Sequence, residues 1–121
     1  MKKILLIVPS KNLRQLYHEN LSQKQVEIVA VDSLATAVVL LIVEKFDAVV
    51  WHSTRNYEIR LFLKIRQGRK KWLKTKLFIV TNCKNIDMEN ISGEVKTYKL
   101  FEWGLNAAIE KISKEIEYMD R

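Results

Sequence analysis

His52 closes the apolar run Ala48-Val49-Val50-Trp51 and is followed at once by Ser53, Thr54 and Arg55. A short continuous apolar run is the mark of a buried strand, and the residue that ends it is presented at the edge of a sheet. A histidine placed there has three chemistries open to it: general base, carrier of a phosphoryl group, or part of an anion site. Catalysis needs a group that orients the imidazole and a place for the electrophile, and no motif supplying either is visible. An anion site would draw on His52, Thr81, Lys99 and helix N-terminal amides, although no glycine-rich loop accompanies them. A hydrogen-bonded structural histidine is the plainest expectation.

Other reactive residue types are scarce. One cysteine (Cys83) and two histidines (His18 and His52) fall short of a structural zinc site. A lone cysteine cannot form an internal disulfide, so a reducing cytoplasmic setting is expected, with Cys83 as a small packing residue. The apolar stretch Ile4 to Val8 is broken by Pro9, too short for a secretory core or a membrane span.

Charge, by contrast, is concentrated. From Arg55 to Lys76 there are nine basic residues against one acid, Glu58, a net of +8. The chain as a whole carries +7, so everything outside that window nets −1. Within it, Arg66, Arg69, Lys70, Lys71, Trp72 and Lys74 form a candidate patch for nucleic-acid phosphates, with Trp72 to stack a base, or for an acidic protein. The bland alternative is a solvated helix face with Trp72 tucked against the sheet.

The elements that must position these residues alternate. Lys3 to Val8, Val26 to Val31, Ala48 to Trp51, Lys76 to Thr81 and Val95 to Tyr98 read as strands. Ser10 can cap a helix carrying Leu13, Leu16, Tyr17 and Leu21, and Ser33 can cap a second from Leu34 to Lys45. That second segment is nearly all apolar; spacing suggests Ala35, Val38, Val39 and Ile42 inward, leaving Leu40 and Val43 as a candidate docking or homodimer face. Glu58 to Gln67 is a helix stopped by Gly68. The final helix is clearest, with Leu105, Ile109, Ile112, Ile116 and Met119 at spacings of four and three.

A chain of 121 residues, 48% apolar and 29% charged, with three glycines and one proline, reads as one soluble domain without a linker. Alternating strands and helices predict an α/β doubly wound three-layer sandwich around a five-stranded parallel sheet. Sites in such folds form at the carboxyl ends of the strands. Here those positions hold Pro9, Ser10, His52, Ser53, Thr81, Asn82 and Lys99.

Five βα units opening with Lys2-Lys3-Ile4-Leu5-Leu6-Ile7-Val8 resemble the receiver domain of bacterial response regulators over essentially the whole chain. Further landmarks are Asn12-Leu13-Arg14, Phe46-Asp47-Ala48-Val49-Val50, Leu77-Phe78-Ile79-Val80-Thr81 and Tyr98-Lys99-Leu100-Phe101. The resemblance implies flavodoxin-like topology with strand order 2-1-3-4-5. Few residues separate Thr81 from Lys99, which implies a shortened fourth helix. Receivers accept a phosphoryl group on an aspartate ending the third strand, with two acids after the first strand holding magnesium. A threonine or serine after the fourth strand and a lysine after the fifth engage the phosphate. Thr81 and Lys99 match these last two.

The rest departs from the pattern. The phosphoacceptor position is His52, the acidic pair falls among Val8, Pro9 and Ser10, and the aromatic switch position is Lys96. Asp47 stands at the entrance of its strand, five residues before His52. Magnesium is held by carboxylates, and none falls at the four strand ends inspected, so no magnesium and no cofactor are expected. The resemblance therefore implies a pseudo-receiver: a non-enzymatic signalling module, independent of phosphorylation, binding a protein partner or itself and no membrane. It could be free-standing or the N-terminal part of a longer regulator. Nucleic-acid binding through residues 55–76 is the alternative.

Overall fold

The computed structural model describes residues 1–84 and 93–119. Five strands, β1 (Lys2–Ile7), β2 (Val26–Val31), β3 (Ala48–His52), β4 (Lys76–Thr81) and β5 (Val95–Lys99), pair in parallel in the order β2-β1-β3-β4-β5. All four ladders are parallel, with Ile4 opposite Ala48, Val50 opposite Phe78 and Thr81 opposite Lys99. The central strands are apolar at nearly every position because both faces of the sheet are covered.

Side-chain alternation divides the core in two. Ile4, Leu6, Val8, Ala48, Val50, Phe78 and Val80 face α1 (Lys11–Leu21) and the helix formed by Leu105–Glu117. Leu5, Ile7, Val49, Trp51, Leu77 and Ile79 face the other way, against α2 (Leu34–Val43) and α3 (Asn56–Gln67). Two one-turn helices complete the order among the described residues: α4 (Lys70–Leu73) after α3, and α5 (Leu100–Trp103) directly before that last helix, α6. The expected shortened helix between Thr81 and Lys99 falls on residues 85–92, outside the described residues.

Both expected caps form. Ser10 Oγ accepts from the Leu13 amide at 3.4 Å, and Ser33 Oγ accepts from that of Thr36 at 3.2 Å. Such caps satisfy amides that have no partner in the first helical turn. α5 and α6 join at Gly104, whose φ of 76° suits a residue without Cβ. No helix among the described residues is long and apolar enough to cross a membrane.

The phase of α2 differs from expectation. Ala37 and Leu41 are its buried residues, with Leu34, Val38 and Leu40 packed partly against the same core. Val39, Ile42 and Val43 are exposed at 60%, 57% and 69%. Leu40 therefore does not belong to the outer face, whereas Val43 does. Where nine of ten residues are apolar and the one polar residue, Thr36, sits in the first turn, spacing cannot choose a phase. The sheet chose it, burying Ala37 and Leu41 and leaving Ala35 exposed.

Candidate functional site

Parity of β3 decides where His52 points. Ala48 and Val50 face α1, so His52 does too, and it is met there by Tyr17. The Tyr17 hydroxyl and His52 Nδ1 lie 2.7 Å apart, a buried hydrogen bond, and the rings stand edge to face with centroids 5.6 Å apart. His52 is only 7% exposed and Tyr17 not at all. Burial pulls the imidazole below the ordinary histidine range and pushes the phenol above that of tyrosine. Both groups are therefore held neutral around pH 7.

The end of β1 is occupied by a cation. Arg14, one turn into α1, donates from Nη1 to the Val8 carbonyl at 2.8 Å and to the Pro9 carbonyl at 3.4 Å. Pro9 and Ser10 are exposed, and Ser10 is engaged as the cap of α1. Neither Arg14 nor Tyr17 stands among the site residues suggested by the sequence. Arg14 was visible as the position four after Ser10, but its reach back to the strand end is a side-chain matter.

On the other side of β3, Thr81 is fully buried, and its Oγ1 accepts from the Cys83 amide at 3.1 Å. Ser53 does the same for Arg55, Oγ accepting from the backbone amide at 3.2 Å, while its own amide donates to Val80. These are hydroxyl-closed turns. Lys99 donates to the Lys84 carbonyl at 3.2 Å, and the ammonium groups of both lysines lie within 6 Å of the exposed Phe101 ring, at 5.9 and 5.8 Å.

This donor set does not fit magnesium. Along β1 and β3 it offers a proline, a hydroxyl used as a cap and a buried imidazole, with the Arg14 guanidinium over the carbonyls. Hard divalent cations take carboxylate and other oxygen ligands. Asp47 lies at the opposite, amino end of β3 and accepts from the Lys3 amide at 2.8 Å. Asp32 is exposed beyond β2, and Asp87 is outside the described residues. Among the described residues no three acidic, histidine or cysteine side chains converge in a way that could hold a metal.

The basic segment is only partly a surface. Arg66 is 2% exposed, donates to the Thr75 carbonyl at 3.3 Å, and is lowered in pKa by burial. Gly93 leaves it room: a Cβ there would stand 2.6 Å from Arg66 Nη2. Trp72 is buried as well, stacked on Phe62 at 5.9 Å, with Nε1 donating to the Leu41 carbonyl at 3.2 Å. Neither belongs to an accessible patch, and Trp72 has no free face for a base: Phe62 covers one side and the Arg69 guanidinium lies 5.1 Å from the ring centroid. Arg69, Lys70, Lys71 and Lys74 remain exposed. Lys76 turns away to Glu115 and Glu94.

Among solved structures, the chain is similar to a response regulator receiver domain protein from Bacillus halodurans C-125, with a TM-score of 0.65 and 13% identity over 94% of this chain and 95% of that one. It is similar also to the receiver domain of the Francisella response regulator 1452, with a TM-score of 0.62 and 17% identity over 96% and 99%. At these identities the likeness is one of fold: a flavodoxin-like, receiver-type sandwich. No protein-family model and no curated protein matches the sequence.

Proposed function

We propose that the chain is a receiver-like signalling module, one cytoplasmic domain over residues 1–121, that works through protein contacts and without aspartyl phosphorylation. Its setting in this reading is a two-component-type regulatory system, and its role there is not enzymatic. The observation that carries the reading is the Tyr17–His52 pair at the end of β3. At the position where receivers carry their acceptor aspartate, this chain holds a buried neutral imidazole. The Arg14 guanidinium at the end of β1 supports the same conclusion, since it places positive charge where receivers hold a cation. Pro9, Ser10, His52, Thr81 and Lys99 then keep the positions of a phosphorylation site without its chemistry.

Incubation with acetyl phosphate and magnesium, followed by intact mass measurement, tests this. No stable gain of a phosphoryl group is expected. A gain that disappears in His52→Ala or Asp47→Asn overturns the proposal.

For the nucleic-acid alternative, burial of Trp72 removes the ring on which a base would stack. The cations left on the surface suit an acidic protein equally well.

A further inference from the structure

α2 is built from ten residues without a charge, LATAVVLLIV, yet its outer face meets solvent. The solvent side of an amphipathic helix is ordinarily polar. Here it presents Val39, Ile42 and Val43, each more than half exposed. What lies beside this stripe is set by one hydrogen bond. Trp72 Nε1 donates to the carbonyl of Leu41, one of the last four of α2, which lack an intrahelical donor. Trp72 belongs to α4, so that bond fastens α4 against the last turn of α2. The Arg69 guanidinium lies 5.1 Å from the Trp72 ring centroid, and Lys70 and Lys71 are exposed in the same turn. Among the described residues none of these three cations is ion-paired.

We propose that the outer face of α2 and the adjoining α4 form one docking surface, an aliphatic stripe edged by cations, for an acidic amphipathic helix of a partner protein. This rests on the reading of the chain as a protein-interaction module and names the chemistry of its partner. The aliphatic side chains take the apolar face of such a helix, and Arg69, Lys70 and Lys71 take its carboxylates. A second copy is the poorer occupant. A two-fold contact sets the same patch against itself, which would bring the exposed Arg69, Lys70 and Lys71 toward their own copies. Nucleic acid would meet the cations but find neither a stacking ring nor a use for three aliphatic side chains.

The test titrates the isotope-labelled full chain with a designed peptide bearing leucine at helical spacing and glutamate elsewhere, and with its lysine-for-glutamate counterpart. Binding of the acidic peptide alone is expected, with amide resonance shifts centred on Val39, Ile42, Val43, Arg69 and Lys70. Ile42→Asp and the double change Lys70→Glu, Lys71→Glu should each weaken it roughly tenfold. Absence of binding, or shifts centred on α1 and α6, overturns the proposal. So does tighter binding to phosphatidylserine vesicles or to single-stranded DNA, or a dimer in sedimentation that Ile42→Asp abolishes. Phosphoryl uptake in the earlier assay with intact peptide binding sinks the proposed function and leaves this surface standing. An unphosphorylated chain that ignores the peptide does the reverse.

Discussion

The hydroxyl of Tyr17 stands 2.7 Å from Nδ1 of His52, joining the middle of α1 to the carboxyl end of β3 across 35 residues of sequence. Each ring closes off the other from water. The pair converts what would be an open strand end into part of the core.

Removing the hydroxyl should therefore be felt as a buried polar loss. Tyr17→Phe leaves Nδ1 without its partner and should cost about 1–3 kcal/mol. In a His52→Leu background the same change should cost much less, because the nitrogen is gone. Urea unfolding of the four proteins in this cycle measures the coupling; a value near zero would mean that the bond contributes nothing.

A pH dependence follows from the lowered pKa of His52. The folded state holds the imidazole neutral, so between its folded pKa and the ordinary histidine value of 6.5 the unfolded chain binds the proton and the folded chain does not. The contribution is complete above pH 6.5 and is lost as the pH falls toward the folded pKa. Glu115, held below the usual carboxylate range by Lys96 and then Lys76, loses its contribution only at more acidic pH. Denaturant midpoints from about pH 8 to about pH 5 should decline, and His52→Asn should flatten that decline.

Restoring one aspartate should not restore a receiver. His52→Asp puts a carboxylate beneath Tyr17 but leaves Pro9 and Ser10, not acids, after β1 and Arg14 on the Val8 carbonyl. No phosphoryl uptake from acetyl phosphate is expected, and burial of the new carboxyl should destabilise the fold. Uptake by this single variant would show that magnesium finds ligands here other than the missing acidic pair.

The basic segment should divide sharply under mutation. Trp72→Ala removes a buried ring stacked on Phe62 and should cost about 3–5 kcal/mol. Lys70→Ala and Lys71→Ala, on the surface, should stay within about 0.5 kcal/mol. Gly93→Ala should destabilise by about 1–3 kcal/mol, since its φ of 82° disfavours a side chain and Arg66 fills the space. Thermal unfolding of the set distinguishes core from surface; equal effects would contradict the burial of Trp72.

Two kinds of residue separate what could be read along the chain from what could not. The strands and α6 were legible because their patterns are local: continuous apolar runs in Ala48–Trp51 and Lys76–Thr81, and Ile109, Ile112 and Ile116 along one stripe. The same counting shows that β1, β3, β4 and β5 end without an acid, a matter of residue identity alone. α2 was legible as a helix but not in its phase, because periodicity carries direction only where polar residues mark the outside.

By itself, then, the order of residues determined an alternating parallel α/β domain, the histidine at its third strand end and the crowding of charge between Arg55 and Lys76. The tertiary structure decided that Tyr17 and Arg14 reach that edge, that Arg66 and Trp72 turn inward, and that Val39, Ile42 and Val43 turn out. The reason is physical. Backbone pattern is set within a few residues, whereas a side chain's burial and hydrogen-bond partners depend on which distant element the crossover sets against it.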